Sequence, residues 1–489
     1  MFFGFAGRRL VICALAAATL GTAPSANTTR LLAGMRTAAG PVWSTHFVSV
    51  SRISFNGSAA IVSTESFGVP FVVRRCVGEL CDGSYFDGTR LYTVDVNDAA
   101  LPQSEESEPY LRSLRLIASL AFLSPGFARG GGRIEDGGAA TIGGKIFRTI
   151  FVADPQAIPV RVYVDPETWL IRYARDVNGD DTFEYRDYRH VEGYSLPFLI
   201  VHNGNVLERY DDRTPVASAF SPPHGLLARL DGAPQAVATD PAHITPVFPC
   251  TVAGVAVRCL LDTGNSGISI SSELAAQLGA PVVGAYHVRG LGDYATQVVR
   301  AGPLRIGNAT FGDAYYVVLD DIHSYGYDVV IGADVLASTN VALDPISHTI
   351  RFGARPQASQ ITVPLSFENF VPVVHVVLNN VDARLAVDTG DESNINLAHE
   401  FYAKHSSLFA ITYQRDVRGV GGSSVELLGS IPQVKLGGYT TGPQIIGTTQ
   451  TLKGTAFGHL GAAFLQQFDV QLDYMAGEIH LAPAGGTSP

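Results

Sequence analysis

Basic residues are the first scarcity in this sequence. Lysine and arginine number 34 against 45 aspartate and glutamate residues, which leaves a formal net charge of −11 at pH 7. A nucleic-acid-binding surface needs a basic patch or stripe, so this balance argues against that class of partner. Charged residues make up only 16% of the chain and hydrophobic residues 46%, which is typical of a globular protein.

Methionine and tryptophan are also rare, at 3 and 2 residues, whereas glycine reaches 51. Frequent glycine together with many valine, threonine, tyrosine and phenylalanine residues favours a β-rich chain with many turns. The length of 489 residues favours about two to four domains over one.

Several catalytic motifs are missing from the sequence. It contains no His-Glu-x-x-His and no Gly-x-Ser-x-Gly, the motifs of common zinc and serine hydrolases. The glycine-rich stretch 130–144 does not end in Gly-Lys-Ser/Thr, so we expect a flexible loop there rather than a phosphate cradle. No histidine or second cysteine pair stands near the cysteines at ligand spacing, and we predict no metal and no cofactor.

At the N-terminus, Arg8 and Arg9 precede a short apolar run over 10–20, and the small residues Ala23, Ser25 and Ala26 follow. After this run, no stretch of the sequence is apolar for long enough to suggest a transmembrane helix. The N-terminal pattern predicts a secretory signal peptide over 1–26, with a buried core helix as the alternative. The mature protein would then be released into a periplasm or outside the cell.

Cysteine usage fits export. Cys13 would leave with the signal peptide, and Cys76, Cys81, Cys250 and Cys259 would remain. An even number of cysteines in an oxidising compartment favours disulfides. The natural pairing joins Cys76 to Cys81 and Cys250 to Cys259, with four buried free thiols as the alternative.

Short alternating runs and frequent turn residues over 30–100 and 145–205 predict strands, and helical spacing predicts a helix over 110–123. The region resembles the LolA-type lipoprotein-carrier fold. The resemblance rests on Trp43, on the spacing of the glycine turns, and on the run 165–197, which ends in Val191-Glu192-Gly193-Tyr194-Ser195-Leu196-Pro197. The resemblance implies an antiparallel β-sheet domain with a helix over 30–210, and in that family the concave face holds an apolar ligand. A docking or substrate-presenting role is equally open. A Pro-, Ala- and Ser-rich linker is predicted over 211–242.

From about residue 243 the chain repeats itself. Asp262-Thr263-Gly264 and Asp388-Thr389-Gly390 each follow a strand-turn-strand pattern and precede a short helical pattern. Further matching features then recur in the same order at nearly constant spacing: the glycine-punctuated hairpins at Gly290 and Gly419, the motifs around Gly332 and Gly461, and the segments that end at Asp344 and Asp473. One Asp-Thr-Gly is a common turn, but two in matching frames are specific.

Each half resembles one subunit of a retropepsin, the retroviral-type aspartic protease. The resemblance implies a mostly β fold with two β-barrel lobes in tandem, over 243–355 and 360–483. It implies that Asp262 and Asp388 form the catalytic pair on the floor of a cleft. The remaining site residues that it implies are the dyad supports Thr263, Gly264, Thr389 and Gly390, and the flap or substrate-binding residues Gly290, Leu291, Gly292, Gly419, Val420 and Gly421.

This reading predicts an aspartic-type endopeptidase that acts on peptides or proteins. Two acids in close contact share one proton, so one activates a water molecule while the other stabilises the oxyanion. A monomer suffices because both lobes belong to one chain, although a dimer stays possible.

Departures from the family pattern leave alternatives open. Asn265 and Asp391 replace the Ala or Ser that usually follows the glycine, and His459 stands where an aliphatic residue is usual. One alternative is a catalytically weak or inactive exported protein that binds a peptide or lipid. Another is a protein with self-processing activity only.

Overall fold

We describe a computed structural model for residues 25–41, 47–55, 58–67, 70–103, 108–177, 179, 181–216, 221–226, 228–356, 361–449 and 456–486. Strands predominate in these ranges, in agreement with the prediction of a mostly β chain. The predicted signal peptide 1–26 lies outside them apart from its last two residues. Among the described helices, none has the length and apolar character needed to span a membrane.

The N-terminal region is built on one large antiparallel sheet. Its strands are β1 (Phe47–Phe55), β2 (Ser58–Phe67), β3 (Phe71–Val77), β4 (Leu80–Phe86), β5 (Leu91–Val94), β6 (Ala100–Pro102), β7 (Arg133–Ile142), β8 (Lys145–Ala153), β9 (Val160–Val164), β10 (Ile171–Asp176), β11 (Thr182–Val191), β12 (Tyr194–His202) and β13 (Asn205–Val216). The strand order is β6-β5-β4-β3-β2-β1-β13-β12-β11-β10-β9-β8-β7, so the first strand, β1, pairs with the last, β13, in the middle of the sheet. Hairpins connect most neighbours, as the turn residues predict.

Three helices accompany this sheet: α1 (Ala26–Ala39), α2 (Glu108–Ala118) and α3 (Pro125–Arg129). The predicted helix over 110–123 corresponds to α2 and the 3₁₀ turn Ala121–Leu123. The prediction of strands from residue 30 is wrong for α1, where the Ser25 hydroxyl accepts from the Thr28 amide and caps the first turn. Leu31 and Met35 lie one turn apart on α1 and pack into the core beneath the sheet, which explains the helix.

The stretch predicted as a linker, 211–242, contains more strand than expected. β13 continues to Val216, and β14 (Arg229–Leu230) and β15 (Ala236–Ala238) pair with edge strands of the C-terminal half. Sheet edges offer unpaired amides and carbonyls, so an extended polar segment that passes them adds short strands even though its composition is that of a loop.

The first lobe contains β16 (Val247–Val252), β17 (Val255–Leu261), β18 (Ser269–Ser271), α4 (Ser272–Gln277), β19 (Val282–Arg289), β20 (Asp293–Ala301), β21 (Leu304–Ile306), β22 (Ala309–Phe311), β23 (Ala314–Leu319), the 3₁₀ turn Ile322–Tyr325, β24 (Val329–Ile331), α5 (Ala333–Leu336), β25 (Val341–Asp344) and β26 (Thr349–Phe352). The turn between β16 and β17 uses Ala253 and Gly254 at positive φ, 48° and 84°, which is the geometry of a two-residue hairpin.

The second lobe repeats this order with β27 (Ile361–Pro364), β28 (Ser366–Glu368), β29 (Val371–Leu378), β30 (Val381–Asp388), β31 (Ile395–Ala398), α6 (His399–Lys404), the 3₁₀ turn Ser406–Leu408, β32 (Ala410–Gly419), β33 (Gly422–Ile431), β34 (Val434–Leu436), β35 (Tyr439–Thr441), β36 (Gln444–Thr449), β37 (Gly458–Gly461), α7 (Ala462–Leu465), β38 (Phe468–Asp473), β39 (Glu478–Pro483) and the 3₁₀ turn Ala484–Gly486. Asn379 and Asn380, also at positive φ, form its first hairpin turn.

A six-stranded sheet of order β15-β26-β25-β38-β39-β27 joins the lobes. Its central strands β25 and β38 are antiparallel, with Ala342 opposite Gln471. These two residues hold equivalent positions in the repeated segments Val341–Asp344 and 470–473. The local twofold axis that relates the lobes therefore passes between them.

Both cysteine pairs lie in hairpins. Cys76 and Cys81 face each other across β3 and β4, and Cys250 and Cys259 sit diagonally across β16 and β17. Each pair is joined as a disulfide, with S–S separations of 2.03 and 1.97 Å.

The N-terminal sheet inserts a polar side chain into the first lobe. Asn97, in the turn between β5 and β6, donates from Nδ2 to Asp334 Oδ2 at 2.7 Å and to the Tyr315 carbonyl at 3.0 Å. Its Oδ1 accepts from the Tyr315 amide at 2.8 Å. Leu101 on β6 belongs to the same apolar core as both lobes. The N-terminal sheet and the first lobe thus share a buried polar and apolar contact.

We expect Asn97→Ala to lower the free energy of unfolding by about 2 kcal/mol, because it removes hydrogen bonds to a buried carboxylate and a backbone amide. Urea denaturation measures this change. Asn205→Ala, in an exposed hairpin, is the control and should change stability by only a few tenths of a kcal/mol. Equal effects of the two substitutions would contradict the contact.

Candidate active site

The two Asp-Thr-Gly segments meet where the lobes face each other. Asp262 directly follows β17, and its amide donates to the Ile331 carbonyl at 3.0 Å. Asp388 ends β30, opposite Gly461 of β37. In both lobes the strand before the aspartate pairs in parallel with the strand that leads to the second glycine motif. Equivalent strand ends therefore deliver the two aspartates to one place.

The two threonines lock these turns together. The Thr263 amide donates to Thr389 Oγ1 at 3.1 Å, and the Thr389 amide donates to Thr263 Oγ1 at 3.0 Å. Each hydroxyl then donates across the axis, Thr263 to the Val387 carbonyl at 2.6 Å and Thr389 to the Leu261 carbonyl at 2.7 Å. Both threonine side chains are buried, so the four bonds are shielded from water and hold the lobes in register.

The glycines leave room for the opposite carboxylate. A Cβ atom built on Gly264 would lie 2.6 Å from Asp388 Cγ, and one on Gly390 would collide with Asp262 in the same way. The Gly264 amide donates to Asp262 Oδ1 at 2.8 Å, and the Gly390 amide donates to Asp388 Oδ1 at 3.0 Å. Glycine is thus required by close approach, and its amide also orients the carboxylate.

The two carboxyl groups are coupled. Burial, followed by the negative charge of Asp388, raises the pKa of Asp262 well above its ordinary value. Burial also raises the pKa of Asp388, while His459 opposes that rise. A proton shared between the two carboxyls removes the repulsion that two negative charges would create. The pair therefore carries one proton over a wide pH range.

His459 and Asp391 lie beside the pair. His459 Nδ1 is 3.2 Å from Asp388 Oδ2 and 3.5 Å from Asp391 Oδ2. Within the described ranges, these three residues form the one cluster whose ligand atoms are close enough to one another for a metal ion. The imidazole nitrogen sits directly between the two carboxylates at ion-pair distances, so we interpret the cluster as a charge-paired one.

The predicted flap residues form two hairpin tips that touch. The turn Gly290-Leu291-Gly292 joins β19 to β20, and the Gly292 amide donates to the Val420 carbonyl at 3.4 Å. Side chains at Gly290 or Gly292 would collide with the backbone of the other tip. Val420 packs with Val288 in an apolar cluster that also contains Val330. The structure thus brings all six predicted flap residues together.

The inner faces of the two lobes differ in polarity. Residues opposite each other in neighbouring strands share a face. In the first lobe Ser269 lies opposite both Val330 and Val317. In the second lobe Asn396 lies opposite both His459 and Gly447. The corresponding rows are Val330, Ser269 and Val317 in the first lobe and His459, Asn396 and Gly447 in the second. The first lobe is therefore more apolar where the second carries a charge.

A flap pair repeats this difference. Tyr286 faces Thr296 in the first hairpin, whereas Arg415 faces Glu426 at the matching place in the second. Arg415 Nε donates to Glu426 Oε2 at 2.7 Å, and the Glu426 side chain is only 1% exposed. Among the residues that the structure describes, none forms a hydrogen bond with its Oε1, and burial raises the pKa of Glu426. The second hairpin thus has a buried carboxyl group where the first has Thr296.

The structure brings together the predicted pair Asp262 and Asp388, its threonines and glycines, and the predicted flap tips. The sequence pattern did not predict the Arg415–Glu426 pair. Isolated charges in a hairpin are ordinary on an exposed sheet face. The sequence does contain a sign of this pair: Arg415 and Glu426 stand where the first repeat has the uncharged residues Tyr286 and Thr296. His459 was noted only as a departure from the family pattern.

A second concave site lies in the N-terminal region. Between α1, α2 and the sheet there is an apolar hollow with a cavity volume of about 80 Å³, which opens to solvent. Trp169, Leu196 and Tyr210 contribute to its lining, and Arg115 and Glu208 supply polar groups. Most of this lining is apolar, which is the character of small-molecule sites.

Comparison with known proteins gives one finding. A model of a family described as aspartyl protease matches residues 248–335, from β16 to α5, a segment that contains Asp262 but not Asp388. No curated protein matches the chain. The first lobe is therefore similar to an aspartyl protease domain, and this similarity supports a protease function.

We expect Gly264→Ala to reduce peptide cleavage by about a hundredfold or more, because its Cβ would displace the Asp388 carboxylate and a displacement near 1 Å costs that much. Steady-state cleavage with circular dichroism as a folding check measures this. Gly442→Ala is the matched control, since a Cβ there meets nothing within 4 Å. Full activity of the folded Gly264 variant would show that the two turns are not in catalytic contact.

Proposed function

We propose that this chain is an aspartic endopeptidase that hydrolyses peptide bonds with a water molecule activated between Asp262 and Asp388. The observation that carries the proposal is the close approach of two half-buried carboxyl groups where two Asp-Thr-Gly turns are locked together by reciprocal threonine bonds. Two like charges so close cannot both ionise cheaply, so the pair contains a base and an acid at the same pH. The family similarity over 248–335 supports the same activity.

In the reaction, ionised Asp388 accepts a proton from water while the water oxygen attacks the peptide carbonyl carbon. Protonated Asp262 gives its proton to the carbonyl oxygen, which forms a neutral tetrahedral diol. Collapse of the diol breaks the C–N bond. The leaving nitrogen then takes the proton held by Asp388, and Asp262 regains a proton from the diol hydroxyl. The cycle ends with the starting protonation state and forms no covalent enzyme intermediate.

The substrate that suits this arrangement is an extended peptide. Hairpins β19–β20 and β32–β33 touch over the apolar cluster of the first lobe, and an extended chain under them can add main-chain hydrogen bonds as a strand does. Separation of the tips admits the peptide, and their closure excludes water. We propose retropepsin-like lobes over 243–355 and 360–483, sufficient as a monomer.

We further propose that the protein is exported, to a periplasm or outside the cell. The pattern Arg8, Arg9, apolar run and small residues over 1–26 supports a signal peptide. The two disulfides are compatible with an oxidising compartment.

A second candidate function belongs to the N-terminal region, over 30–210. The apolar hollow beneath α1 and α2 favours binding of an apolar small molecule or acyl chain, in line with the LolA resemblance. Most of the exposed lining surface is apolar, so recognition would depend mainly on buried apolar area.

Asp262→Asn and Asp388→Asn should each lower peptide cleavage about a thousandfold or more, because each removes one member of an acid–base pair. Cleavage of a diverse peptide library by the mature chain, read by mass spectrometry, measures this. Asp382→Asn, an exposed change on the same strand as Asp388, should leave cleavage unchanged. An inert wild-type protein, or full activity of either dyad variant, would sink the proposal and favour a peptide-binding protein or one that only processes itself.

If the hollow binds an apolar ligand, Ser195→Trp should reduce binding of a fluorescent fatty acid about tenfold, because the indole fills space that the ligand needs. Thr141→Trp places the same side chain on exposed β7 and is the control. Fluorescence titration measures both. Equal binding by wild type and Ser195→Trp, or no saturable binding at all, would remove this candidate function.

A further inference from the structure

We propose that His459 and Asp391 form a charged pair that makes the two catalytic aspartates unequal, with Asp388 held as the base and Asp262 as the proton-carrying acid. His459 is thus a positioning residue, since it acts through Asp388. This inference rests on the proposed peptidase function and deepens it, because it assigns the two roles within the dyad.

The internal symmetry of the two lobes is broken next to the two aspartates. Asn265 and Asp391 both follow Asp-Thr-Gly, and their carbonyls accept equivalent hydrogen bonds from the amides of Ala333 and Ala462, at 3.0 and 2.7 Å. Val330 and His459 both stand two residues before the matching glycines. The backbone is the same in both lobes, so the neutral pair Asn265 and Val330 has become the charged pair Asp391 and His459.

The two changed residues contact each other. His459 Nδ1 lies 3.5 Å from Asp391 Oδ2 and 3.2 Å from Asp388 Oδ2. One imidazolium therefore faces two carboxylates. Burial opposes a charge on His459, but the hydrogen bond to Asp391 and the charges of Asp388, Asp391 and Asp262 outweigh it and raise the pKa of His459. Burial alone would raise the pKa of Asp391, but the hydrogen bond and the charge of His459 lower it below its ordinary value.

The two aspartates accept different numbers of hydrogen bonds on their carboxylates. Asp388 Oδ1 accepts from the amides of Gly390 and Asp391, at 3.0 and 3.1 Å, and Oδ2 faces His459. Asp262 Oδ1 accepts from the Gly264 amide. The amides of Asn265 and Asp391 both donate to the backbone carbonyl of the aspartate, at 3.2 and 3.4 Å, but only that of Asp391 also reaches the carboxylate. Hydrogen bonds and a nearby cation stabilise the ionised form, so the negative charge of the pair belongs on Asp388.

Other titratable groups reach this cluster electrostatically. The negative charge of Asp262 contributes to raising the pKa of Tyr327 and Tyr474, and the charge of Asp388 also raises that of Tyr474. The charge of Asp391 likewise raises the pKa of Glu426, and that of Glu392 raises the pKa of Tyr327. Both tyrosine pKa values are raised, so these side chains are neutral in the working range and add no competing charge.

The consequence is a fixed direction of the reaction. In a symmetric pair either aspartate can serve as base, but here the water transfers its proton to Asp388 of the second lobe. The carbonyl oxygen takes its proton from Asp262 of the first lobe. The scissile bond therefore has one productive orientation between the relatively apolar and polar halves of the cleft.

The test is the pH profile of kcat/KM on a good peptide substrate, whose acid limb reports protonation of the base in the free enzyme. His459→Val removes the cation and leaves Asp391 unpaired beside Asp388, so the pKa of Asp388 rises and the acid limb should move up by about one pH unit or more. Asp391→Asn removes a negative charge and retains the cation, so the acid limb should move down. The double variant reproduces the pair of the first lobe and should fall between the two single variants.

His375→Val, an exposed histidine change on β29, is the control and should leave the profile in place. The double variant also guards against misfolding of the singles, because the first lobe already folds with that pair. A profile unchanged by His459→Val, or the same direction of shift in both single variants, would overturn the inference while the peptidase function stands.

A second readout does not need catalysis. The imidazole of His459 can be titrated by NMR, and its pKa should fall in Asp391→Asn as the partner charge is lost. If wild-type protein cleaves nothing, the proposed function fails, and this titration still decides whether the charged pair exists. No change in the His459 titration would then overturn the pair as well.

Discussion

Two half-buried carboxyl groups held close together are the constraint on which the second half of the structure depends. Placing Asp262 beside Asp388 is unfavourable if both are ionised, so the pair persists only when it shares a proton. The reciprocal threonine bonds supply the rigidity that holds the carboxyls in contact. Gly264 and Gly390 are needed for the same reason, because any side chain there would occupy the place of the opposite carboxylate.

The joining of both lobes in one chain has a second consequence. A symmetric homodimer must use identical residues on both sides of its axis, whereas a duplicated chain is free to change one copy. The local axis through Ala342 and Gln471 preserves the backbone symmetry. The side chains have diverged around it, from Tyr286 and Thr296 to Arg415 and Glu426, and from Val330 to His459. The geometry of the dyad is thus retained while its electrostatics and the cleft have become directional.

The N-terminal sheet belongs to the same folded unit. Asn97 completes the hydrogen bonds of the buried carboxylate Asp334, whose other partners include the amide of Ile268, six residues beyond Asp262 in the sequence. Leu101 contributes to the core shared by the lobes. Removal of this region would expose apolar surface and leave a buried acid with fewer donors. The apolar hollow and the cleft are therefore parts of one continuous structure.

Much of the site could be predicted from local patterns. Asp-Thr-Gly, the helix after it and the glycine hairpins are short-range signals, and their repetition in order predicts two related lobes with Asp262 and Asp388 as a pair. The asparagine and glycine turns and the nearby cysteine pairs also depend on neighbours in sequence. The missed features are contacts between distant segments: α1 against the sheet, β14 and β15 on edges of the lobes, and Asn97 against Asp334. Which carboxylate of the pair carries the charge was decided only by tertiary structure, because the field at Asp388 comes from His459, a residue far along the chain that folding brings to within 3.2 Å.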